Sequence, residues 1–356
     1  MTAGGHTPPM RALAITSVKN EGPFLLEWLA HHRDIGFTDF LVFSNDCDDG
    51  TDAMLDRLQE IGWLTHVPNP GPWKEGPQWA ALKQADAHPL VAQADWIAVI
   101  DVDEFVTIKT GDGTLDALIE AVPQATAFAM TWRLFGNCGV VAFEDRPVTQ
   151  QFPRCAPPDM LWPWRASMFK TLFANTGAYA KLGVHRPRAP QDDKLAGTLW
   201  VDGSGRKLPP QYQRQKLFTP PGSGPYDLVQ LNHYPLGSME GYLVKCDRGR
   251  SNRQAGAFDM SYWVERNFSD VEDDSIRRHD AGTQARLTEL TADPDLPRLH
   301  NAAVTWRKAK ARTLLREEPY RALFGRLLLC PPSRPLSPQA AKLMVRLAKA
   351  AITEKS

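Results

Sequence analysis

Asp101 and Asp103 stand one residue apart at the end of the apolar run Trp96-Ile97-Ala98-Val99-Ile100 and lead into Glu104-Phe105. Carboxylates this close at one edge repel each other unless a cation or well-placed donors neutralise them, and hard oxygen ligands suit Mg²⁺ or Mn²⁺. A metal held there could bridge to a diphosphate. Two solvated acids at a strand end have the same spacing, so the weight falls on what surrounds the pair.

The run before the acids is a continuous aliphatic stretch, which reads as a central parallel strand covered on both faces. Its direction puts the acids at the C-terminal edge, where open α/β sheets bind ligands. Upstream, 12–18 reads as a first strand, followed by a helix on which Leu25, Trp28, Leu29 and His32 share a face, with Gly36 as its stop. A second strand over 39–44, a helix over 52–61, a third strand over 63–67 and a helix over 75–88 complete a β/α alternation. That alternation implies a parallel sheet with right-handed crossovers, a Rossmann-like sheet with helices on both faces. After a helix near 116–122 and a strand near 126–134, residues 146–225 lose regularity and collect prolines and Trp162-Pro163-Trp164. Long irregular segments of this kind are expected to be acceptor-binding or lid loops. From Met239 onward the pattern is helical.

Several polar clusters converge on the same sheet edge: Lys19-Asn20-Glu21 after strand one, Asn45-Asp46 after strand two, and Gln78 with Lys83 on the helix before the acids. Together with Glu27-Trp28, His32, Gly36, Asp49-Gly50-Thr51, Asp101-Val102-Asp103-Glu104-Phe105, Trp132, Phe135-Gly136 and Asn232-His233-Tyr234, they resemble the family 2-like glycosyltransferases of GT-A type allied to family 92. The resemblance runs over about residues 11–255. It implies a GT-A fold and transfer of a sugar from a nucleoside diphosphate donor, a UDP-sugar being the expected one, with Mn²⁺ or Mg²⁺ between the acids and the diphosphate. Asp103 would be a direct metal ligand and Asp101 would hold the metal or the ribose. Asn45 and Asp46 would meet the base or ribose, and His233 would supply a third metal ligand, with His185 in reserve. Lys245 and Arg248, with Arg250 beyond, match the basic residues of a K-x-x-R-G segment that would clamp the diphosphate. A lysine that many relatives carry beside Ser238 is absent here. An inverting displacement needs a carboxylate base, for which Glu144 and Asp145 are the candidates and Asp192 and Asp193 the fallback. Trp162, Trp164 and Trp200 could stack on acceptor sugar, and Lys181, His185, Arg186 and Arg188 could meet an anionic one.

Composition narrows the classes. The 356 residues hold 41 basic and 41 acidic side chains, which gives no argument for nucleic acid as a partner. The balance is uneven, because residues 297–356 hold 13 Lys+Arg against 3 Asp+Glu. The expected organisation is therefore a disordered leader at 1–10, a catalytic domain at 11–255 and a basic helical extension at 256–356. Five cysteines without a C-x-x-C pair suggest neither a zinc site nor a disulfide framework, and no run of 18 apolar residues occurs. The expectation is a cytoplasmic protein, with basic helices able to touch the inner face of a membrane from the side. No G-x-x-x-x-G-K-[ST], H-E-x-x-H or G-x-S-x-G is present. Two rivals share the sheet: a nucleotidyltransferase and a non-catalytic saccharide-binding or scaffold protein.

Overall fold

The computed structural model describes residues 10–249 and 259–353. The expected leader, apart from Met10, lies outside the described residues, as do Arg250 and the boundary expected between 255 and 256. The chain opens with β1 (Ala12–Val18), α1 (Gly22–Asp34), β2 (Asp39–Ser44), α2 (Thr51–Glu60), β3 (Thr65–Pro68), α3 (Pro77–Ala85), α4 (Pro89–Gln93) and β4 (Trp96–Val99). The apolar runs become strands and the periodic segments become helices, as the alternation requires. After the acids come β5 (Glu104–Ile108), α5 (Leu115–Ala121), β6 (Ala127–Leu134), α6 (Val148–Gln151) and β7 (Arg154–Cys155). Next are β8 (Phe169–Ala174), β9 (Tyr179–Lys181), β10 (Arg188–Pro190), α7 (Asp192–Leu195), β11 (Trp200–Asp202) and β12 (Val229–His233). The last part holds α8 (Met239–Arg248), α9 (Met260–Val264), β13 (Val271–Glu272), α10 (Asp280–Thr291), α11 (Asp295–Leu314), α12 (Glu318–Leu329) and α13 (Pro338–Thr353).

A nine-stranded sheet runs β3-β2-β1-β4-β8-β6-β12-β5, with β11 also on β6. Strands β3, β2, β1 and β4 are parallel, β8 is antiparallel to both its neighbours, and β5 is antiparallel to β12. Part of the 146–225 stretch expected as loops is therefore scaffold, since Phe169–Ala174 occupies the middle of the sheet. The sheet has to curl. In a flat sheet β4 and β5 would lie about 19 Å apart, four spacings of roughly 4.8 Å. Yet only a short connection joins them, and it is a turn closed by Glu104 N–H donating to the Asp101 carbonyl at 3.0 Å. Such a turn brings its ends within about 7 Å, so the edge strand bends back and the acids sit inside the bend.

One face of α1 supports that turn from beneath. Trp28 is fully buried, and its indole N–H reaches the carbonyls of Asp101 at 3.1 Å and Glu104 at 3.0 Å. His31 and His32 cross to the main chain of Val106. The C-terminal helices lock α1 in place: Leu290 of α10 and Leu296 of α11 belong to the same core as Trp28, and Arg57 of α2 forks onto Asp293 at 2.6 Å. A Cβ on Gly22 would lie 2.7 Å from the Ala303 Cβ, so glycine is what allows α11 to approach the start of α1.

Candidate active site

Each acid of the turn has its own cation. Asp101 lies 3.1 Å from the Lys170 ammonium and accepts from the Gln78 amide at 3.2 Å. Asp103 accepts from the Lys245 ammonium at 2.7 Å, and its other oxygen lies 3.8 Å from His233 Nε2. Burial alone would raise the Asp103 pKa, but Lys245 and His233 outweigh it and hold the carboxylate well below its usual range. Lys170, the residue sequence reasoning missed, is wholly buried in β8. Burial tends to lower its pKa, and Asp101 and Glu104 reverse that effect.

Glu104 completes the arrangement. It is fully buried, accepts from the Trp132 indole at 2.6 Å and from the Asp101 amide at 2.8 Å, and lies 3.4 Å from Lys170. Burial, with Asp101 and Asp103 adding to it, pushes its pKa up to about 8 against the pull of Lys170. Both Glu104 oxygens accept from donors, one from the Trp132 indole and the other from the Asp101 amide, and the single Lys170 ammonium is shared between Asp101 and Glu104. A lysine inside the otherwise apolar Phe169-Lys-Thr-Leu-Phe strand was the available signal, because a charge in such a run needs a buried partner.

An open cleft of about 810 Å³ lies over these residues. Ser17, Lys19, Glu21, Asn45, Gln78, Asp101, Asp103, His233, Lys245 and Arg248 line it, together with Trp73, Trp132 and Arg165, which sequence reasoning did not place there. The volume suits a nucleotide-sized ligand. Arg248 braces the loop after β1 by donating to the Lys19 carbonyl at 2.6 Å and to Glu21. Asn45 is buried and held by Ser17, Val18 and Asn69. His233 is 4 % exposed and stacks on Trp132 at 4.3 Å between ring centroids. Burial drives its pKa down to about 3, so the imidazole is neutral and can ligate, and Nδ1 has no hydrogen-bond partner. Among the described residues no three His, Cys, Asp or Glu side chains gather as a ready metal cage, so a divalent cation here would rest on the Asp103 and His233 pair, with water or substrate oxygens completing its shell.

Other candidates fall outside the cleft lining. Asn20 turns its side chain to Asp48, whose amide it accepts at 2.7 Å, and Asp46 accepts from the Gly71 amide at 3.2 Å. Lys83 is exposed and pairs with Glu75 at 3.3 Å. Glu144 lies 3.8 Å from Arg146, and Asp145 accepts from His300 at 2.9 Å. Both acids stand on the exposed connection after β6. Asp192 pairs with Arg214 on the surface, and neither it nor Asp193 lines the cleft. Trp200 is core, 1 % exposed, and Trp164 packs on Phe218. Of the basic quartet near β9 and β10, only His185 lines the cleft. The candidate bases lie outside the cleft lining because an acid's position in sequence says nothing of which way its loop leaves the sheet.

A curled, mostly parallel sheet with a paired D-x-D turn at its C-terminal edge defines a GT-A-type α/β protein. Residues 17–199 match the model of glycosyltransferase family 92, and the chain belongs to that family. A family 92 protein of Ricinus communis is 29 % identical over 116 residues, which cover 31 % of this chain and 19 % of that one. One of Oryza sativa subsp. japonica is 24 % identical over 153 residues, 40 % of this chain and 25 % of that one. The chain thus spans about a fifth to a quarter of the length of these curated relatives. Among solved structures, S. aureus TarS 1-349 in complex with UDP-GlcNAc is similar at 16 % identity and a TM-score of 0.28, over 47 % of this chain and 46 % of that one. The galactosyltransferase LgtC with donor and acceptor sugar analogs gives 12 % identity and a TM-score of 0.28, over 63 % and 87 %. At these TM-scores the two structures add nothing to the family assignment.

Proposed function

We propose that the chain is a metal-dependent glycosyltransferase that moves a sugar from a nucleoside diphosphate donor, a UDP-sugar first, to a saccharide or glycolipid acceptor. The observation that carries this reading is the convergence of two carboxylates, a neutral imidazole and the cations Lys245 and Arg248 on one cleft. Asp103 and His233 are the metal ligands in this reading. Asp101 would have to part from Lys170 or Gln78 to join them, and otherwise serves the ribose. A bound divalent cation would supply Lewis-acid stabilisation of the charge that builds on the leaving diphosphate. Lys245 and Arg248 hold that diphosphate, and Asn45 and Gln78 line the side where a nucleoside would lie. Glu144 and Asp145 do not line the cleft, so their use as the base of an inverting transfer would need the connection after β6 to move toward it. An acceptor borne on a membrane is compatible with this reading, since the basic C-terminal helices offer a surface to meet it.

A panel of nucleotide sugars incubated with Mn²⁺, with released nucleoside diphosphate measured, tests the proposal. Release from one donor is expected, abolished by excess EDTA and reduced about 10²-fold or more in Asp103→Ala. Full release in EDTA would remove the metal role. Release of pyrophosphate would favour nucleotidyl transfer, and saccharide binding without turnover across the panel would favour the scaffold reading.

A further inference from the structure

The C-terminal helices carry a surface unlike the rest of the molecule. Between Glu318 and Glu354 the sequence holds no acidic residue and six basic ones: Arg321, Arg326, Arg334, Lys342, Arg346 and Lys349. The same stretch concentrates exposed leucine. Leu328, Leu329, Leu336, Leu343 and Leu347 make up five of the nine large hydrophobic side chains exposed among the described residues, and Leu329 is 85 % exposed. Scattered single leucines need no explanation, but a run of them in an acid-free segment marks an interaction surface.

Helix α13 arranges these groups in stripes. At about 100° per residue, Ala341, Met344 and Val345 share the face turned toward the protein, and Ala341 is buried. Leu343 and Leu347, one turn apart, lie on the opposite side and are exposed. Lys342 and Arg346, also one turn apart and exposed, lie between the two faces. An apolar strip flanked by a cationic stripe is the arrangement of a helix lying at the boundary between acyl chains and headgroups. No described helix is long and apolar enough to cross a membrane, so this one would lie on it.

Charge decides between occupants. A second copy docking through the same face would set Lys342 and Arg346 against their own copies, in a segment that holds no acid from 319 to 353. A protein partner is anchored by buried aromatics far more often than by separate leucines. Anionic phospholipid offers both complements at once, phosphate for the basic stripe and hydrocarbon for the leucines.

We propose that α13, with the exposed end of α12, is a peripheral docking surface for anionic membranes, in which Leu343 and Leu347 enter the acyl boundary while Lys342 and Arg346 meet lipid phosphates. The proposal stands independently of the chemistry in the cleft. Its test is co-sedimentation of the full chain with vesicles of phosphatidylcholine alone or containing 30 % phosphatidylglycerol, a composition of about that order giving a clear surface potential, at low and high salt. Binding to the anionic vesicles at low salt is expected, weakened by high salt and by removal of the anionic lipid. Lys342→Glu with Arg346→Glu should weaken binding about 25-fold or more, from roughly fivefold per charge near the surface, whereas Lys342→Arg with Arg346→Lys should preserve it. Leu343→Glu with Leu347→Glu should abolish it, and because all four side chains are exposed, an unchanged thermal midpoint is the fold control. Negligible binding by the wild type, or binding indifferent to all three pairs, overturns the proposal. A concentration-dependent dimer in light scattering that Leu343→Glu dissolves would assign the strip to a second copy and overturn it equally.

Discussion

Asp101 and Asp103 are neutralised by cations from two different elements, β8 and α8. Asp101 leans on Lys170, a lysine of a central strand with no exposed surface, while Asp103 leans on Lys245, which comes from helix α8 and lines the cleft. The first cation is sealed beneath the sheet edge and is the same whatever enters the site. The second stands where a ligand arrives and can be exchanged for one. The acids therefore divide the work: one turn end is fixed by architecture and the other is kept charged, low in pKa and available.

The sharpest way to break this contrast is to remove the architectural cation. Lys170→Met should lower the free energy of unfolding by about 3 to 5 kcal/mol, the usual consequence of leaving a buried acid, here Glu104, without its partner. Glu104→Gln should cost less, about 1 to 3 kcal/mol, because an amide of the same shape keeps one accepting oxygen and sets its NH2 against a donor that Glu104 now satisfies, the Trp132 indole or the Asp101 amide. Urea midpoints of the two variants decide the matter. Equal losses would mean that Lys170 is held for Glu104 as much as for Asp101.

The same contrast explains what could be read from the sequence. Strands β1 and β2, helix α1 and the acids were legible because each is local: an apolar run, a helical period, a carboxylate at a predictable strand end. Lys245, Arg248, His233 and Gln78 were legible as motif pieces, and the structure brings all four to the cleft. Strands β5, β8, β11 and β12 were not, because they are short and make non-local pairings, and nothing in Phe169–Ala174 announces that it will slot between β4 and β6. With β8 unseen, Lys170 was unseen as well. Glu144 and Asp145 lie off the cleft for the reverse reason, being conspicuous acids on a loop whose direction the sequence does not fix.

Beneath the charged pairs lies a floor of uncharged histidine, which sharpens the contrast in a second way. His31, His32 and His279 are buried with ring centroids 5.0 and 5.4 Å from His31, and the His31 imidazole donates to the Val106 carbonyl at 2.8 Å. Burial lowers all three pKa values, that of His31 to about 3. The unfolded chain takes up a proton near pH 6.5 that folded His31 refuses, so its contribution to stability is complete above that pH and is lost as pH falls toward 3. Between pH 6 and 4 the wild type should lose stability more steeply than His31→Gln, by up to about 1.4 kcal/mol per pH unit. Parallel pH dependences of the two urea-derived stabilities would show that His31 titrates normally in the fold.

The smallest expected effect bears on the exchangeable cation itself. Lys245 gives hydrogen bonds of 2.7 Å both to Asp103 and to the Pro235 carbonyl, and a divalent cation that takes Asp103 must do so against the charge of this ammonium. Lys245→Met keeps most of the stem and removes the charge, so Asp103 is left free to hold metal but the diphosphate loses a partner. Calorimetric titration of Mn²⁺ without nucleotide should therefore show affinity raised several-fold, while nucleoside diphosphate in the presence of Mn²⁺ should bind roughly 3- to 10-fold more weakly, the scale of one partly screened charge pair. Opposite signs for the two ligands are the signature of a lysine that first stands in for the metal and then serves the substrate. Weakening of both would make Lys245 a fixed element of the site like Lys170, and the division between the two acids would disappear.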